Sequence, residues 1–514
     1  MPVNHNDYVY RFCLCGYVPL RNDTSALWVR YKSGHEQAKA EPIITCVATE
    51  TGAYVDTPNR ELYFDRAFAT SNSARPLRNW DECIHTGFLY HTGNDYSCDR
   101  LMINHTAFSA REEEMALRTG WLDEIQTDKI VICDSGGFQL RSGKEFWIDP
   151  EKLTEFYNDN VDEGVTLDVP IPTYDRDLLK RMLKIQAKNS KLILSGLDKN
   201  VRLMNVAHGV DYSDFMFVRE RLHEDERMDI LCIPSSVIIP DIKSIDRLAY
   251  HLTHGQTYKQ YHLLGVYNTT WLSLAIKLVT EWNKQVKQPI LLTSDASSSI
   301  YSASTLRWHK QVVPYRSVSR WPIGFQAPAI GRALLPSKTL SCPCPVCSAI
   351  HYSDVFNLLS DINIAAPLTR HNEFETVQWT RLMCEAAATL DTKDYIQLCL
   401  EQLGGARDKR ATLEAFAYME MFLQEGWDKT HAKYRHRVSA LFAPKTKETV
   451  LFDTSHDGLA PNEDIGALNQ HLSDVLTRYE KYHSTGKKPK LPKSKNGKSF
   501  FGMMGSNSAQ LQAK

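Results

Sequence analysis

KIVICDSGGFQLRSGKEFWIDPEKLTEFYNDNVDEGVTLDVPIP, residues 129–172, carries the pattern on which the fold turns. A short β-branched run, Lys129–Cys133, ends in Asp134 and a double glycine. Asp149-Pro150 then offers an N-cap followed by a first-turn proline, and Leu153, Phe156 and Tyr157 follow at helical spacing. A second short run, Val165–Asp168, closes the stretch. Strand, helix, strand in this order means parallel strands joined by a crossover.

The unit repeats downstream. Apolar runs recur at Leu203–Ala207, Ile230–Ile233, Tyr261–Val266 and Pro289–Thr293. Amphipathic stretches separate them: Pro240-Asp241 precedes Ile242, Ile245 and Leu248, and Asn268-Thr269-Thr270 precedes Leu272, Leu274, Ile276 and Leu278. Six such units favour a closed α/β barrel, a (β/α)8 TIM barrel, over an open doubly wound sheet. Residues 1–110 read as short strands and loops. Residues 373–478 read as helices, at Trp379–Leu390, Tyr395–Leu403 and Ala411–Leu423. After Glu480 the chain has no acid and carries Lys481, Lys487, Lys488, Lys490, Lys493, Lys495 and Lys498 among Gly and Pro. That composition predicts a disordered basic tail, either a solubilising segment or an electrostatic arm for phosphates. The resulting division is an N-terminal segment 1–40 without an assigned role, a barrel with its metal site at 41–375, a helical region at 376–478 and the tail at 479–514.

Composition sets the bounds. The 514 residues are 43% hydrophobic and 24% charged, as in globular proteins, and the formal net charge is -1. Contact with a polyanion must therefore come from local basic patches. No run of about 18 apolar residues occurs, so no membrane partner is expected. The first twenty residues lack a signal-peptide pattern, which leaves a cytoplasmic location as the expectation. Most of the 12 cysteines are scattered singly and read as small buried hydrophobes.

Barrel chemistry sits at the C-terminal ends of strands. Three of the predicted strands end in aspartate: Asp134, Asp168 and Asp295. Alone, each would pass as a cap or turn former; together in a barrel they converge. After Asp134 come Ser135, Gly136, Gly137 and Phe138. The glycines let backbone approach a flat ligand, and Phe138 either stacks on that ligand or belongs to the core. Paired carboxylates suit glycosidic chemistry, one as nucleophile and one managing protons. The loop lacks the Lys-Ser/Thr of a P-loop and the spacing of a dinucleotide fingerprint. Separately, Cys342, Cys344 and Cys347 lie close together, with His371 or His351 as a fourth donor. Three thiolates and an imidazole form a closed set for structural Zn²⁺.

In these strings the chain resembles the tRNA-guanine transglycosylases: Asp134–Gln139, Leu167-Asp168-Val169-Pro170, Leu263-Leu264-Gly265-Val266, Asp295, and Cys342/Cys344/Cys347 with His371-Asn372. The resemblance spans roughly 40–375. It implies that Asp295 attacks C1′ and expels guanine, that Asp134 is the general acid/base, and that Asp168 reads the base with Phe138 stacked on it. A free 7-deazaguanine then takes guanine's place, and zinc is a structural cofactor held by Cys342, Cys344, Cys347 and His371. The chain also departs from the family. Ala296-Ser297-Ser298-Ser299 stands where bacterial members carry Thr-Arg-Asn-Ala-Arg for tRNA. His208, in Val206-Ala207-His208-Gly209, replaces a base-contacting Gln, unless it is a core histidine. These changes fall on RNA recognition and the base pocket, as in the phage and bacterial relatives that insert 7-deazaguanines such as preQ0 into DNA. The expected partner is thus DNA rather than tRNA, in a host cytoplasm if the gene is a phage's. A tRNA-directed enzyme, a noncatalytic nucleic-acid-binding subunit and a homo-oligomer stay open.

Overall fold

The computed structural model describes residues 9–15, 100–105, 130–143, 145–171, 175–209, 211–222, 225–234, 242–255, 258–266, 269–295, 307–309, 324–326, 365–401, 406–438 and 465–489. Eight strands form a closed parallel barrel: β1 (Tyr10–Cys15), β2 (Arg100–Asn104), β3 (Ile130–Asp134), β4 (Glu163–Val165), β5 (Arg202–Val206), β6 (Ile230–Pro234), β7 (Gln260–Leu264) and β8 (Leu291–Asp295). Each strand bonds the next, and β1 closes the ring on β8 with Cys13 opposite Asp295. From β3 onward the α/β alternation is continuous. The helices are α1 (Gly137–Arg141), α2 (Pro150–Asn160), α3 (Arg176–Gly196), α4 (Tyr212–Leu222), α5 (Ile242–His254) and α6 (Thr269–Asn283). The connections after β1 and β2 lie outside the described residues. A small antiparallel pair, β9 (Arg307–His309) with β10 (Gly324–Gln326), follows β8.

Local sequence explains the elements. Asp149 caps α2 by accepting from the Glu151 amide, with Pro150 in the first turn. Asp175 caps α3 by accepting from Asp177 and Leu178. Strand alternation divides the core in two. Met102, Ile132, Val165, Met204, Val206, Ile230 and Cys232 form one apolar cluster. Their intervening neighbours, among them Val131, Cys133, Leu203, Leu231 and Leu263, join the larger core with the helices. At the N-terminal end of the strands lies a charged layer. Glu163 accepts from Arg100 at 3.0 and 3.1 Å, from Gln260 at 3.1 Å and from Arg202. Breaking this buried set would strand a charge, so it acts as a fixed plug.

Five further helices complete the described fold: α7 (Ala365–Thr389), α8 (Thr392–Glu401), α9 (Ala406–Glu425), α10 (Trp427–Val438) and α11 (Ile465–Thr485). They dock on the barrel directly. Lys277 of α6 caps the C-terminal end of α7, donating to the carbonyls of Ala387 (3.0 Å) and Leu390 (2.9 Å). Asp246 of α5, fully buried, accepts from the Tyr212 and Tyr418 hydroxyls, from Trp427 Nε1 at 3.1 Å, and meets His431 Nδ1 at 2.9 Å. One carboxylate thereby ties α4, α5, α9 and α10 together. Arg181 of α3 grips Glu480 of α11 at 2.8 Å, and Tyr479 stacks on Trp147. No described helix is long and apolar enough to cross a membrane.

Three sequence-based boundaries move. The N-terminal segment 1–40 contains a barrel strand, β1, because its parallel bonds to β8 and β2 close the ring. The helical region starts at Ala365, inside the span assigned to the barrel. The tail expected from 479 is helical through Thr485, where Tyr479 and Tyr482 bury against the barrel, and Lys488 pairs with Asp149 and Glu151, each at 2.7 Å. The rest of the tail, from 490, lies outside the described residues.

Replacing Asp246 by alanine leaves several buried donors unpaired at ~1–3 kcal/mol each. Asp246→Ala is therefore expected to lower the urea midpoint clearly. Asp428→Ala, exposed in the first turn of α10, should shift it far less in the same titration, by the ~0.3–1 kcal/mol of a first-turn acid at most.

Candidate active site

The C-terminal ends of the strands bring together residues distant in sequence. Asp134 is the last residue of β3 and Asp295 the last of β8. Asp168 follows β4 by three residues, since that strand ends at Val165, short of the 165–168 run expected to be strand. His208 follows β5 by two. Asp168, His208 and Asp295 are all buried.

The double glycine has a steric reason. A Cβ on Gly137 would stand 2.5 Å from Asp168 Oδ1 and 2.6 Å from its carbonyl oxygen, so only glycine lets the β3 loop close on Asp168. Gly136 sits at φ 87°, the left-handed region that favours glycine, and opens α1. Phe138 then faces outward at 45% exposure, beyond the core. The Ser135 hydroxyl is fully buried, and among the described residues neither it nor Gln139 Oε1 has a hydrogen-bond partner. A buried polar atom without a partner costs ~1–3 kcal/mol, which a ligand with a polar edge would recover.

The electrostatics follow from crowding. Burial pushes the Asp134 carboxyl up to about 7, and the negative charges of Asp168 and Asp295 add to the rise. The amides of Gly136 and Ser135 donate to it and offset part. The residue as a whole keeps some solvent contact, but its carboxyl is enclosed. It thus holds a proton near neutral pH, as a general acid must. Beneath the carboxylates, burial first and then Asp295, Asp168 and Asp134 drive the Cys232 thiol far up, so it stays protonated and inert. His208 Nε2 hydrogen-bonds Asp168 Oδ2 closely. That pairing places His208 beside Asp168, with both side chains buried.

Asp295 is held by two groups on one oxygen. The Gly265 amide donates to Oδ1 at 2.8 Å, and His262 Nε2 meets the same Oδ1 at 3.1 Å. His262 is fully buried, and its Nδ1 meets Thr293 Oγ1 at 2.9 Å. Gln260 reaches the same Thr293 hydroxyl at 3.3 Å and Glu163 at 3.1 Å. A polar chain therefore links the carboxylate at the mouth to the charged plug below. Sequence reasoning missed His262, which lay inside a run read as apolar strand. The available signal was its parity: His262 shares a strand face with Gln260 and Leu264.

With the geometry in place, comparison with known proteins adds one finding. A 139-residue stretch is 28% identical to the tRNA-guanine(15) transglycosylase of Methanococcus aeolicus. The chain is similar to a tRNA-guanine transglycosylase. The match covers 26% of this chain and 21% of that protein, so the chain spans about a fifth of the length of the relative it matches. No family model matches. The similarity supports the superfamily that Asp134–Gln139 resembles, and it leaves the nucleic acid undecided. The candidate zinc ligands Cys342, Cys344 and Cys347 lie outside the described residues. His371 falls on α7, where only its backbone position is described. Among the described residues no cluster of His, Cys, Asp or Glu is arranged to hold a metal.

Because the Asp134 pKa is raised from 3.8 to about 7, the folded state binds more protons than the unfolded state between those values. Stability therefore falls as pH rises from about 4 to about 7. At ~1.4 kcal/mol per pKa unit the swing is on the order of a few kcal/mol. Asp134→Asn should flatten this part of the stability–pH curve and gain stability at pH 8. Urea titrations at pH 5 and pH 8 check it, and an unchanged slope would show that Asp134 is not the titrating group.

Proposed function

We propose that this chain is a guanine transglycosylase that exchanges guanine in DNA for a 7-deazaguanine base on a (β/α)8 barrel. The observation that carries the reading is a carboxyl protonated near neutral pH, Asp134, beside two further carboxylates, one of them fixed by two donors. The Asp295 carboxylate attacks C1′, and the bond from C1′ to the base nitrogen breaks. The electron pair leaves with guanine, which takes a proton from Asp134. The incoming 7-deazaguanine gives its ring N–H proton back to Asp134 and attacks C1′, and the C1′–oxygen bond to Asp295 breaks. One glycosidic bond replaces another, so no energy source enters. Asp168 accepts from the N–H edge of the base while His208 orients it, Phe138 offers a stacking face at the mouth, and Ser135 adds a buried hydroxyl. Gly136 turns the β3 loop and Gly137 lets it close on Asp168, and the Gly265 amide with His262 aims the nucleophile. A duplex target must leave the stack, at a cost of roughly a few kcal/mol.

The preference for DNA rests on Ala296–Ser299 and His208, where the tRNA enzymes resembled here carry other residues. The second reading is a tRNA-directed enzyme, favoured by the similarity to the tRNA-guanine(15) transglycosylase of Methanococcus aeolicus. Labelled 7-deazaguanine is incubated with the protein and duplex DNA or tRNA, followed by digestion to nucleosides. Label in deoxynucleosides is expected; label confined to tRNA nucleosides would transfer the proposal to the second reading, and no label in either would favour a noncatalytic subunit. Asp295→Ala abolishes exchange and the covalent adduct. His262→Leu lowers kcat about 100-fold with KM little changed, the scale of a misaimed reacting group.

The zinc assignment is also a proposal. Three thiolates from Cys342, Cys344 and Cys347 and the His371 imidazole would make a closed tetrahedral site with a folding role. Elemental analysis should find about one zinc per chain, and Cys344→Ser should lose the metal and lower the thermal midpoint. Full occupancy in that variant would remove Cys344 from the site.

A further inference from the structure

The barrel carries a second charged feature far from the carboxylates. Helix α3 follows β4 at the catalytic end and returns to the opposite end, where β5 begins. Its 21 residues (Arg176–Gly196) span ~30 Å at ~1.5 Å per residue. Lys180, Lys184, Lys188 and Lys191 are all exposed. At ~100° per residue they fall within an arc of about 80°, a single stripe down the helix. None of the four has an ion-pair partner among the described residues. Glu480, whose carboxylate Lys184 and Lys188 help to hold low, is bonded first to Arg181. Asp177, the one acid in the helix, sits in its first turn.

The stripe runs into a concavity. At the N-terminal end of the strands an open cleft of about 1130 Å³ is lined by Lys191, Lys199, Arg202, Arg221, Arg227 and Lys259, with Asp225 and Glu226 as its acids. Lys191 belongs to both features. Arg202 and Arg227 are committed to Glu163, Asp229 and Asp225, and Lys259 lies 3.3 Å from Asp229. Lys199 joins the stripe without an ion pair among the described residues.

An ordinary solvated helix face mixes signs, so that charges four residues apart attract. Here they repel, in a chain whose total charge is -1. Lysines four residues apart stand ~6 Å apart. A nucleic-acid strand carries a charge per ~3.4 Å of axis, so they meet roughly every second phosphate of one strand. A membrane surface fits less well, because the exposed large hydrophobics among the described residues are Phe138 and Leu413, on other elements.

The geometry points to the α3 stripe, Lys180, Lys184, Lys188 and Lys191, and the adjoining cleft at Lys199 as a track for the phosphodiester backbone of nucleic acid flanking the target. It leads from the catalytic mouth down the outside of the barrel. This surface shares only its nucleic-acid partner with the proposed function and needs no exchange chemistry.

The test uses the full chain and fluorescein-labelled probes, a 30-base-pair DNA duplex and an RNA hairpin of similar charge, titrated by anisotropy over a salt series. The triple variant Lys184→Glu, Lys188→Glu, Lys191→Glu should lose at least about tenfold in affinity for the preferred probe. Its log–log salt slope on the DNA duplex should fall by about 3, near 0.9 per phosphate released. The probe with the larger loss identifies the backbone taken. Matched reversal of Lys409, Lys429 and Lys433, on α9 and α10, should change the slope far less. Asp295→Ala should bind as tightly as the unaltered protein even with exchange abolished, which separates this inference from the catalytic one. The track is refuted if the triple variant keeps its slope, if the control triple loses as much, or if vesicles rich in phosphatidylserine compete with the DNA at equal charge through the same lysines.

Discussion

Three carboxylates at one end of a barrel repel one another, and the arrangement of the lumen answers that repulsion. Asp134 relieves it by holding a proton to about pH 7. Asp168 shares its charge with His208, and Asp295 with the Gly265 amide and His262. Below them an apolar layer of Met102, Ile132, Val165, Met204 and Cys232 excludes water, which sharpens every charge above it. At the far end Glu163 is neutralised by Arg100 and Arg202. His262, Thr293 and Gln260 cross the apolar layer between the two polar ends. On the proposed mechanism the barrel separates roles that share one functional group: a carboxyl that carries a proton, a carboxylate that reads, one that attacks, and a fourth that only holds strands together.

Much of this was legible in the sequence, for physical reasons. Strands β3 and β5 to β8 announced themselves because a barrel strand with both faces buried is a short apolar run, and α2 was marked by its Asp149-Pro150 start. The aspartates stood out because a charge at the end of such a run interrupts it. Strand β1 was hidden: Tyr10–Cys15 has Arg11 within it and lies far from its partners in sequence, so nothing local reveals that β8 needs it. The end of helix α11, from Tyr479, was hidden by composition. Lys481 faces solvent while Tyr479 and Tyr482 pack against Trp147, and counting charge without helical phase reads such a segment as tail. His262 was hidden because a histidine among leucines looks like a core residue until the strand's inward face is known.

The similarity to the Methanococcus enzyme covers a quarter of the chain, so the rest of the functional reading stands on the site itself. On the proposed reading, what the chain shares with the tRNA enzymes it resembles is the set of groups that act on the sugar–base bond. What differs lies around the polymer. Base exchange asks little of the polymer beyond an exposed nucleotide, so one catalytic end can serve different nucleic acids if the surfaces that hold them change.

The closure of β1 against β8 has a consequence for how the molecule comes into being. Tyr10 donates to or accepts from Ser294 across 284 residues, at 2.6 Å, one position before Asp295. Strand β1 therefore waits for β8 before the ring can close. Until β8 emerges, β1 has β2 on one side and an open edge on the other, the kind of long-range pairing that slows folding and exposes strands to wrong partners. Closure of the ring, and with it the setting of Asp295, thus waits on two segments that lie 284 residues apart in the chain.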